Sequence, residues 1–444
     1  MARAKKEAAL TPEERLQAAL VPDWEWPHKL PENWCWTYLT KAAECLDNFR
    51  KPINATERAG RNGNVPYYGA TGQVGWIDDF LTDEDLVLLG EDGAPFLDLI
   101  KDKAYLITGK AWVNNHAHIL RSLFGDTGNR YLLHYLNSFN YAGYVNGTTR
   151  LKLTRASMDT IPIPLPPLAE QQRIVDRIES LFAKLDEAKE KAQAVVDSFE
   201  TRKAAILHKA FTGELTAKWR EEHGVRMESW EHHQFSDLCA IVRGGSPRPA
   251  GDPRYYDGNI PFMKVADITR NDSPYVSKVE YSIKEEGLKK TRMVEANTLL
   301  LTNSGATLGV PAITTIRTTF NDGIAAFIGL DIDSLLFYYY FWTSKTAFLR
   351  SINMGAAQPN LNTKLIGKVE IDVPQTAERV EIARVLNALL SKEQQAKEAA
   401  EAVLDQIDLM KKSILARAFR GELGTNDPSE ESAVELLKEI IRRG

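Results

Sequence analysis

The chain of 444 residues lacks the features of several common protein classes. It has 3 cysteines, Cys35, Cys45 and Cys239, without a CxxC spacing, which argues against a disulfide framework and a structural zinc site. Its longest strongly apolar run, Leu335 to Trp342, is far shorter than the roughly 20 residues that span a bilayer. The N-terminus lacks the apolar core of a secretory signal. We therefore expect reduced thiols and a cytoplasmic protein without a membrane segment.

An excess of positive charge is also missing. Lys and Arg number 55 against 60 Asp and Glu, so the formal net charge is −5. This sum does not by itself indicate a nucleic-acid ligand, but phosphates respond to the local field and not to the total charge. With 43% hydrophobic residues and this length, the chain should fold into two to four domains.

Catalytic motifs are absent as well. No Walker loop, GxSxG or HExxH sequence occurs. Asn64-Val65-Pro66-Tyr67 approaches the Asn-Pro-Pro-aromatic motif of amino-methyltransferases but lacks its first proline. Because Asn259-Ile260-Pro261-Phe262 repeats the pattern, we interpret both as strand starts. His116 and His118 have no third ligand at a recognisable spacing and are assigned to packing or hydrogen bonding. The chain is predicted not to be an enzyme.

An internal repeat dominates the sequence. At an offset of 208 residues, 161–215 aligns with 369–423 without a gap, and 22 of the 55 positions are identical. Both copies end alike, in ILHKAFTGEL (206–215) and ILARAFRGEL (414–423). The chain therefore contains a duplication.

Each copy has the apolar spacing of one long helix. Gly213 and Gly421 stand where C-terminal helix glycines belong, and only Arg202 and Glu393 interrupt the apolar seams. Two copies in one chain favour an intramolecular, antiparallel coiled coil with a pseudo-twofold axis. The expected seam residues are Ile174, Ile178, Leu181, Leu185, Phe199, Ile206, Phe211, Ile382, Leu386, Leu389, Ile407, Ile414 and Phe419.

Two dissimilar segments accompany the helices: head 1 (30–160) and head 2 (228–368). Both have short β-rich runs bounded by Gly and Asn turns. The predicted fold class is α/β (α+β): two globular mixed α/β domains, separated and joined by two long antiparallel coiled-coil helices. The predicted boundaries are an N-terminal helical extension 1–29, head 1 at 30–160, the first long helix 161–215, a linker with head 2 at 216–368, the second long helix 369–423 and a C-terminal tail helix 424–444.

The repeated copies resemble the conserved regions of the specificity (S) subunits of type I restriction-modification systems. IPIPLPPLAEQQRIV (161–175), with its ending ILHKAFTGELT, resembles the central conserved region of that family. VEIDVPQTAERVEIAR (369–384), with ILARAFRGEL, resembles the distal one. GGSPRPAGDPRYYDGNIPFMKVADIT (244–269) is similar to the start of many of the family's target recognition domains. The resemblance covers nearly the whole chain.

The resemblance implies a non-catalytic reader of double-stranded DNA. Each head would recognise one half of a bipartite, asymmetric site, and the helical frame, through the seam residues above, would dock two methyltransferase (M) subunits. S-adenosylmethionine would belong to M, and ATP and Mg to the restriction (R) subunits that complete the endonuclease. No cofactor or metal is expected on this chain. Two alternatives stay open: a stand-alone DNA-binding or adaptor protein and, with less support, a self-sufficient adenine methyltransferase.

Base reading requires Arg, Lys, Asn or Gln side chains on exposed elements, beside cations that hold phosphates. The candidates in head 1 are Arg50, Lys51, Arg58, Arg61, Arg150 and Lys152. Those in head 2 are Arg243, Arg248, Arg254, Lys289, Lys290, Arg292, Asn303 and Ser304. The acidic residues between Asp78 and Asp92 are expected to form a solvated loop that points away from DNA.

Overall fold

The structure is a computed structural model that describes residues 11–351 and 361–443. Residues 1–10 of the predicted N-terminal extension, 352–360 of the predicted second head and Gly444 lie outside the described residues. Helices and strands alternate along the chain, which confirms the mixed fold class. The described residues form two compact units, unit 1 (11–193 with 401–443) and unit 2 (194–351 with 361–400), so the division falls inside the helical regions and not at their ends.

Head 1 is built from short strands with one long helix. The elements before the first long helix are α1 (Pro12–Ala19), β1 (Cys35–Tyr38), α2 (Leu39–Ala42), β2 (Ala43–Cys45), α3 (Ala55–Ala59), β3 (Val65–Gly69), β4 (Gly72–Ile77), β5 (Thr82–Asp83), β6 (Leu86–Gly90), β7 (Ala104–Ile107), β8 (Lys110–Val113), β9 (Ala117–Ser122), α4 (Gly125–Ser138), β10 (Val145–Asn146), β11 (Lys152–Leu153), α5 (Arg155–Asp159) and β12 (Pro162–Leu165). They make two four-stranded sheets, in the orders β2-β9-β6-β7 and β4-β3-β8-β5.

Head 2 has a similar set of elements. The rest of the chain contains α6 (Leu168–Asp197), α7 (Phe199–Phe211), α8 (Ala217–His223), β13 (Glu231–Gln234), α9 (Phe235–Leu238), β14 (Ala240–Arg243), β15 (Tyr256–Met263), α10 (Val265–Thr269), β16 (Tyr275–Val276), β17 (Tyr281–Ile283), α11 (Glu285–Leu288), β18 (Arg292–Val294), β19 (Thr298–Thr302), β20 (Pro311–Thr314), β21 (Thr318–Phe320), β22 (Ile324–Ile328), α12 (Leu335–Ser351), α13 (Thr363–Gly367), β23 (Glu370–Val373), α14 (Thr376–Ala418) and α15 (Ala433–Arg443). The sheet orders of head 2 are β14-β22-β19-β20-β16 and β17-β15-β21-β18.

The two heads share one topology although their sequences differ. The order β2-β9-β6-β7 corresponds to β14-β22-β19-β20, and β4-β3-β8-β5 corresponds to β17-β15-β21-β18. The parallel pair β3 and β8 has its counterpart in β15 and β21. Asn64 directly precedes β3, which confirms the first Asn-x-Pro-aromatic motif as a strand start. Asn259–Phe262 lies within β15, so the second motif is part of a strand but not its start. A long helix, α4 or α12, packs on the first sheet of each head.

Each head begins and ends on a two-stranded antiparallel ribbon. In head 1, Cys35 of β1 lies opposite Leu165 of β12, directly before α6. In head 2, Glu231 of β13 lies opposite Val373 of β23, directly before α14. The pairing fixes the start of each head beside the strand that leads into its long helix.

The prediction of one continuous helix over the first copy is wrong, because α6 ends at Asp197 and α7 begins at Phe199. The Ser198 hydroxyl donates to the Ala194 carbonyl, and Arg202 Nη2 donates to the Val195 carbonyl at 3.2 Å. The Ala194 carbonyl also accepts the regular helical bond from the Ser198 N–H at 3.1 Å, so side-chain and backbone donors share the carbonyls of this turn. The second copy is continuous in α14.

Within each unit the helical segments run antiparallel, as predicted. In unit 1, Asp186 pairs with Lys411, and Lys189 lies 3.5 Å from Asp408. Residue numbers therefore increase along one helical segment in the direction in which they decrease along the other. In unit 2, Lys397 lies 5.0 Å from the Phe199 ring centroid and Arg202 pairs with Glu393, so the residue numbers run in opposite directions there too.

The described chain ends lie together in unit 1. Thr11 and Glu14 form the predicted capping box at the start of α1, which packs against α15. Ala19 and Leu437 share an apolar cluster there, and both are fully buried. No helix among the described residues is long and apolar enough to cross a membrane.

Candidate nucleic-acid interface and helical frame

The repeated ending fastens each helix end to a head. In unit 1, the Phe419 ring meets the rings of Tyr131 and Tyr135 edge-on at centroid distances of 5.3 and 5.1 Å. In unit 2, Phe211 packs on Phe337 and Phe341 at 5.4 and 5.5 Å. Phe419 is buried inside its own unit, so it serves the core of that unit and we do not propose it as a docking residue. Phe211 is only partly buried, and its docking role stays a prediction.

The glycines of the two endings are required by geometry. Gly213 and Gly421 have positive φ values of 80° and 73°, the left-handed conformation that ends a helix. A Cβ atom on Gly421 would lie 2.4 Å from Pro31 Cγ, and one on Gly213 would lie 2.6 Å from Met227 Sδ. The close approach and the left-handed turn both exclude a side chain at these two positions.

A buried glutamate begins each long helix, and Ala169-Glu170 and Ala377-Glu378 are identical in the two copies. In unit 2, the Glu378 carboxylate accepts from Arg220 Nη1 at 2.6 Å and from Trp230 Nε1 at 3.0 Å. It is fully buried, and hydrogen bonds to cations stabilise a buried carboxylate. The bonds tie the start of α14 to the linker that follows α7.

The corresponding glutamate of unit 1 holds the segment that follows α14. Thr425 Oγ1 donates to Glu170 Oε1 at 2.6 Å, and Arg173 Nε donates to Glu170 Oε2 at 3.0 Å. Arg173 also forms a bidentate pair with Glu430 at 2.8 Å. Burial raises the pKa of Glu170, although Thr425 and Arg173 oppose this rise.

The seam residues divide into two groups by what they contact. Ile174 and Ile178 belong to the core of head 1, and Ile382 and Leu386 to that of head 2, so the first turns of each helix pack on a head. Phe199 and Ile407 are buried farther along. Partly buried seam positions are Leu181, Leu185, Ile206, Phe211, Leu389 and Ile414.

Glu91 forms ion pairs with two of the predicted DNA-binding residues of head 1. Arg50 pairs with Glu91 and Asp47 and is largely buried. Lys152 Nζ lies 3.1 Å from Glu91. Burial alone would raise the pKa of Glu91, but the bonds from Arg50 and Lys152 outweigh it and hold this pKa below its ordinary value. Arg50 is therefore a structural cation, and we do not carry it into the proposed interface.

His118 has the hydrogen-bonding role that the sequence favoured. Its Nδ1 lies 2.7 Å from Asp47 Oδ2 and its Nε2 lies 3.0 Å from the Leu153 carbonyl. Cys45, Asp47 and His118 lie within 4.8 Å of one another, a spacing that a metal ion tolerates. Since both ring nitrogens already face oxygen acceptors, these residues form a buried hydrogen-bonded cluster. Burial raises the pKa of the Cys45 thiol to about 12, which keeps it protonated.

Three cations of head 1 lie over aromatic rings. Arg61 and Lys51 lie 4.6 and 5.9 Å from the Trp112 ring centroid, and Arg58 lies 4.8 Å from that of Tyr67. Arg61 also donates through Nε to Asp78 at 2.7 Å. In all three contacts the charged group itself lies over the ring, so these are cation–π interactions that restrict where the charge can move.

Arg150 lies in an open cleft at one end of the head 1 sheets. Its Nε is 2.6 Å from Asp92 Oδ1, and its side chain is 59% exposed. The cleft has a volume of about 530 Å³ and is also lined by Thr71, Asn114 and His116. The expectation of one solvated loop between Asp78 and Asp92 is wrong, because β5 and β6 run through this stretch and the Glu91 side chain is 12% exposed. Asp92 lies beside a basic candidate, and the orientation of the stretch relative to DNA stays a prediction.

In head 2, three of the basic candidates lie around Asp322. Arg243 Nε donates to the Asp322 carbonyl at 2.7 Å, and Arg292 Nε donates to the Arg243 carbonyl at 2.9 Å. Arg248 Nη2 lies 3.6 Å from the Asp322 carboxylate, to which Ser246 also donates. Three separated candidates are therefore brought together at the turn between β21 and β22.

Three other cations of head 2 are exposed. Arg254 is held by Asp252 through two guanidinium nitrogens, at 3.0 and 2.5 Å. Lys289 and Lys290 follow α11 and have exposed side chains. Their compact, mobile charges suit phosphate contacts better than base reading.

Glu91 of head 1 and Asn303 of head 2 occupy corresponding positions after β6 and β19. Each backbone N–H donates to the turn before the neighbouring strand, at His116 or Gly323, and each carbonyl accepts from a leucine N–H. Asn303 is fully buried and Ser304 is partly buried. Because the Asn303 amide has no exposed surface, we do not carry it into the proposed interface.

The sequence reasoning missed Asp92 and Asp322, which organise the arginines of the two heads. The available signal is the dipeptide Asp-Gly, which marks a tight turn and occurs at Asp92-Gly93, Asp322-Gly323 and also Asp257-Gly258 within β15. In head 1 this turn follows β6, and in head 2 it lies between β21 and β22.

Comparisons with known proteins agree with this architecture. The family model described as type I restriction modification DNA specificity domain matches residues 45–196 and 227–402. A putative type I restriction enzyme specificity subunit of Haemophilus influenzae is 26% identical over 357 residues, which cover 79% of this chain and 86% of the relative. The type I restriction enzyme EcoKI specificity subunit of Escherichia coli is 24% identical over 339 residues, or 70% of either chain.

Solved structures show the same fold. The HsdS subunit from Thermoanaerobacter tengcongensis superposes with a TM-score of 0.60 at 19% identity, over 90% of this chain and 100% of that one. A chain from a type I restriction-modification assembly superposes with a TM-score of 0.62 at 18% identity, over 89% and 100%. The chain belongs to the type I restriction-modification DNA specificity family and is a subunit that recognises DNA without catalysing a reaction.

Proposed function

We propose that the two heads read the two halves of a bipartite, asymmetric site in double-stranded DNA. The observation that carries this proposal is the pairing of one shared head topology with different residues at corresponding positions, such as Asp92 and Ser304, which directly follow the equivalent residues Glu91 and Asn303. A common scaffold presents different side chains, so two copies recognise two different base sequences.

The reading face in the proposal is the end of each head where arginines meet an Asp-Gly turn. In head 1 it includes Arg150 beside Asp92, and in head 2 it includes Arg243 and Arg292 beside Asp322. The remaining exposed cations hold phosphates and set the position of the head on the duplex. They are Lys51, Arg58, Arg61, Lys152, Arg254, Lys289 and Lys290, with Ser304 as a neutral neighbour. Arg248, beside the Asp322 carboxylate, is assigned to the reading face.

The helical frame in the proposal docks two methyltransferase subunits. Its buried seam residues maintain the frame, so docking falls on apolar side chains that stay exposed. In unit 1 these include Val403, Leu409 and Met410, with 42%, 58% and 48% of their surface exposed. S-adenosylmethionine binds to the methyltransferase subunits, and ATP and Mg to restriction subunits that join them.

The test is the adenine methylation map of a plasmid in cells that express this chain with its neighbouring methyltransferase subunit, compared with each protein alone. The expected result is methylation in the pair only, at a split asymmetric motif with a fixed gap. Methylation by this chain alone would support a self-sufficient methyltransferase, and DNA binding without methylation in any sample would support a stand-alone or adaptor protein.

A matched variant tests the docking surface. Leu409→Asp places a charge on an exposed apolar position of the frame, whereas Arg384→Asp changes an exposed frame residue that already pairs with Glu381. The first variant should reduce copurification of the methyltransferase subunit and the second should leave it unchanged. Equal copurification of both variants contradicts the assigned surface.

A further inference from the structure

We infer that Arg150 reads the major-groove edge of a guanine in the half-site of head 1, and that Asp92 positions it. This inference rests on the proposed function and names one specificity-determining contact within it.

Asp92 holds the Arg150 side chain in place and leaves part of its guanidinium group free for a ligand. Arg150 Nε forms a salt bridge with Asp92 Oδ1 at 2.6 Å, and Asp92 itself is only 25% exposed. Gly93 leaves room beneath the guanidinium, because a Cβ on this glycine would lie 3.1 Å from Arg150 Nε. The backbone N–H of Gly93 donates to the Leu151 carbonyl at 2.9 Å, which joins the two segments that carry the acid and the arginine.

The two terminal nitrogens of Arg150 remain available for a ligand. Among the described residues, only Asp92 pairs with this guanidinium, and it does so through Nε. The terminal nitrogens form a planar fork that matches the two acceptors of guanine, O6 and N7. An arginine anchored by Nε therefore offers the geometry of bidentate guanine recognition.

Other arginines that Asp residues hold in this protein lack that property. Arg254 uses both Nε and Nη2 on Asp252, and Arg61 uses both on Asp78. Their forks are already engaged by a carboxylate within the chain. Arg150 differs from both because its carboxylate occupies one nitrogen only.

The surroundings of Arg150 fit the edge of a base pair. The cleft of about 530 Å³ is open and carries the polar side chains Thr71, Asn114, His116 and Thr149. His116 Nδ1 lies 3.5 Å from Asp92 Oδ2, so the same carboxylate faces both nitrogen groups. These donors and acceptors suit neighbouring base edges rather than an apolar ligand.

The experiment uses the complex of this chain with its methyltransferase subunit. The wild-type methylation motif is determined first, and methylation rates are then measured on duplexes carrying each base at every position of the motif. Arg150→Ala should lower the preference for guanine at one position by about 5- to 150-fold and leave the other half-site unchanged. Arg150→Lys should lose the same preference, because an ammonium cannot make the bidentate contact.

Asp92→Asn tests positioning separately from folding. It should relax the same position with an unchanged thermal midpoint, since the neutral amide no longer fixes the guanidinium. Arg155→Ala is the matched control: Arg155 is exposed in the same head, and its Nε lies 2.7 Å from Asp159, outside the cleft. Its motif should equal that of the wild type.

The outcomes separate this inference from the proposed function. An intact wild-type motif that Arg150→Ala leaves unchanged would overturn the inference alone. Uniform loss on all duplexes in Arg150→Ala, restored by Arg150→Lys, would identify a phosphate contact and would also overturn it. Absence of any motif in the wild-type complex would overturn both.

Discussion

Arg202 and Glu393, the two polar interruptions of the apolar seams, pair with each other. Arg202 Nε lies 2.7 Å from Glu393 Oε2. At the offset of 208 residues their counterparts are Met410 and Leu185. A shifted register would place either charge against apolar side chains without a partner, which is costly. The charged pair therefore favours one register of the helices in unit 2.

A double-mutant cycle measures this pair. Arg202→Ala, Glu393→Ala and the double variant should give a coupling free energy of about 0.3–1 kcal/mol in chemical denaturation, small because both side chains are partly exposed. The Glu187 and Lys191 pair, on one exposed helix face, is the control and should couple by no more than about 0.5 kcal/mol. A coupling of zero between Arg202 and Glu393 would contradict the register role.

Phe419 should be required for the stability of unit 1. Phe419→Ala removes a buried ring that contacts two tyrosines and should lower the free energy of unfolding by about 3–5 kcal/mol. Leu97→Ala, at an exposed position of the same unit and outside the proposed docking surface, should change it by less than about 0.5 kcal/mol. The measurement is urea denaturation of the purified chain.

A different result for Phe419→Ala would support a docking role for the repeated ending. If Phe419→Ala kept the wild-type stability and lost the methyltransferase subunit, the ring would act at a subunit interface and not in the core of its own unit. Copurification of each variant with that subunit distinguishes the two cases.

The frame was largely predictable from the sequence, because its signals are local. Heptad spacing, the two glycines and the repeat itself predicted antiparallel helical segments with the correct ends. The break at Ser198 was not predictable, since it depends on how Ser198 and Arg202 use the carbonyls of the preceding turn. The spacing of apolar residues along the sequence does not indicate which side chains will hydrogen-bond to those carbonyls.

The heads were less predictable, because their organising contacts join distant residues. Arg50 looked like an exposed loop cation, but its partner Glu91 lies on another loop and buries it. Asn303 was predicted to read a base, but it directly follows β19 and its side chain is buried inside head 2. The common topology of the heads was hidden as well, since the repeat aligns only their helical regions.

Acid should weaken head 1 through Glu91. Its folded pKa lies below the ordinary value of 4.5, so its ion pairs contribute fully above about pH 4.5 and are lost as the pH falls through the lowered pKa. The free energy of unfolding of the wild type should therefore fall between about pH 5 and 3 more steeply than that of Glu91→Gln. Glu32→Gln, an exposed carboxylate without an ion pair among the described residues, should keep the wild-type slope.

Phosphate contacts and base contacts in head 2 should respond differently to salt. Lys289→Ala and Lys290→Ala should each weaken binding of the complex to all DNA sequences and reduce the slope of log K against log salt by about 0.9. Arg248→Ala, if Arg248 reads a base, should instead cost about 1–3 kcal/mol on the cognate site and relax one position. Fluorescence anisotropy on cognate and unrelated duplexes at several salt concentrations measures both quantities.

The comparison also decides the role of Arg248, which lies 3.6 Å from Asp322 and has a side chain that is 70% exposed. A loss that is equal on cognate and unrelated duplexes, together with a reduced salt slope, would place Arg248 with the two lysines as a phosphate contact. Loss on the cognate site alone would place it on the reading face, because only a base contact distinguishes one duplex from another.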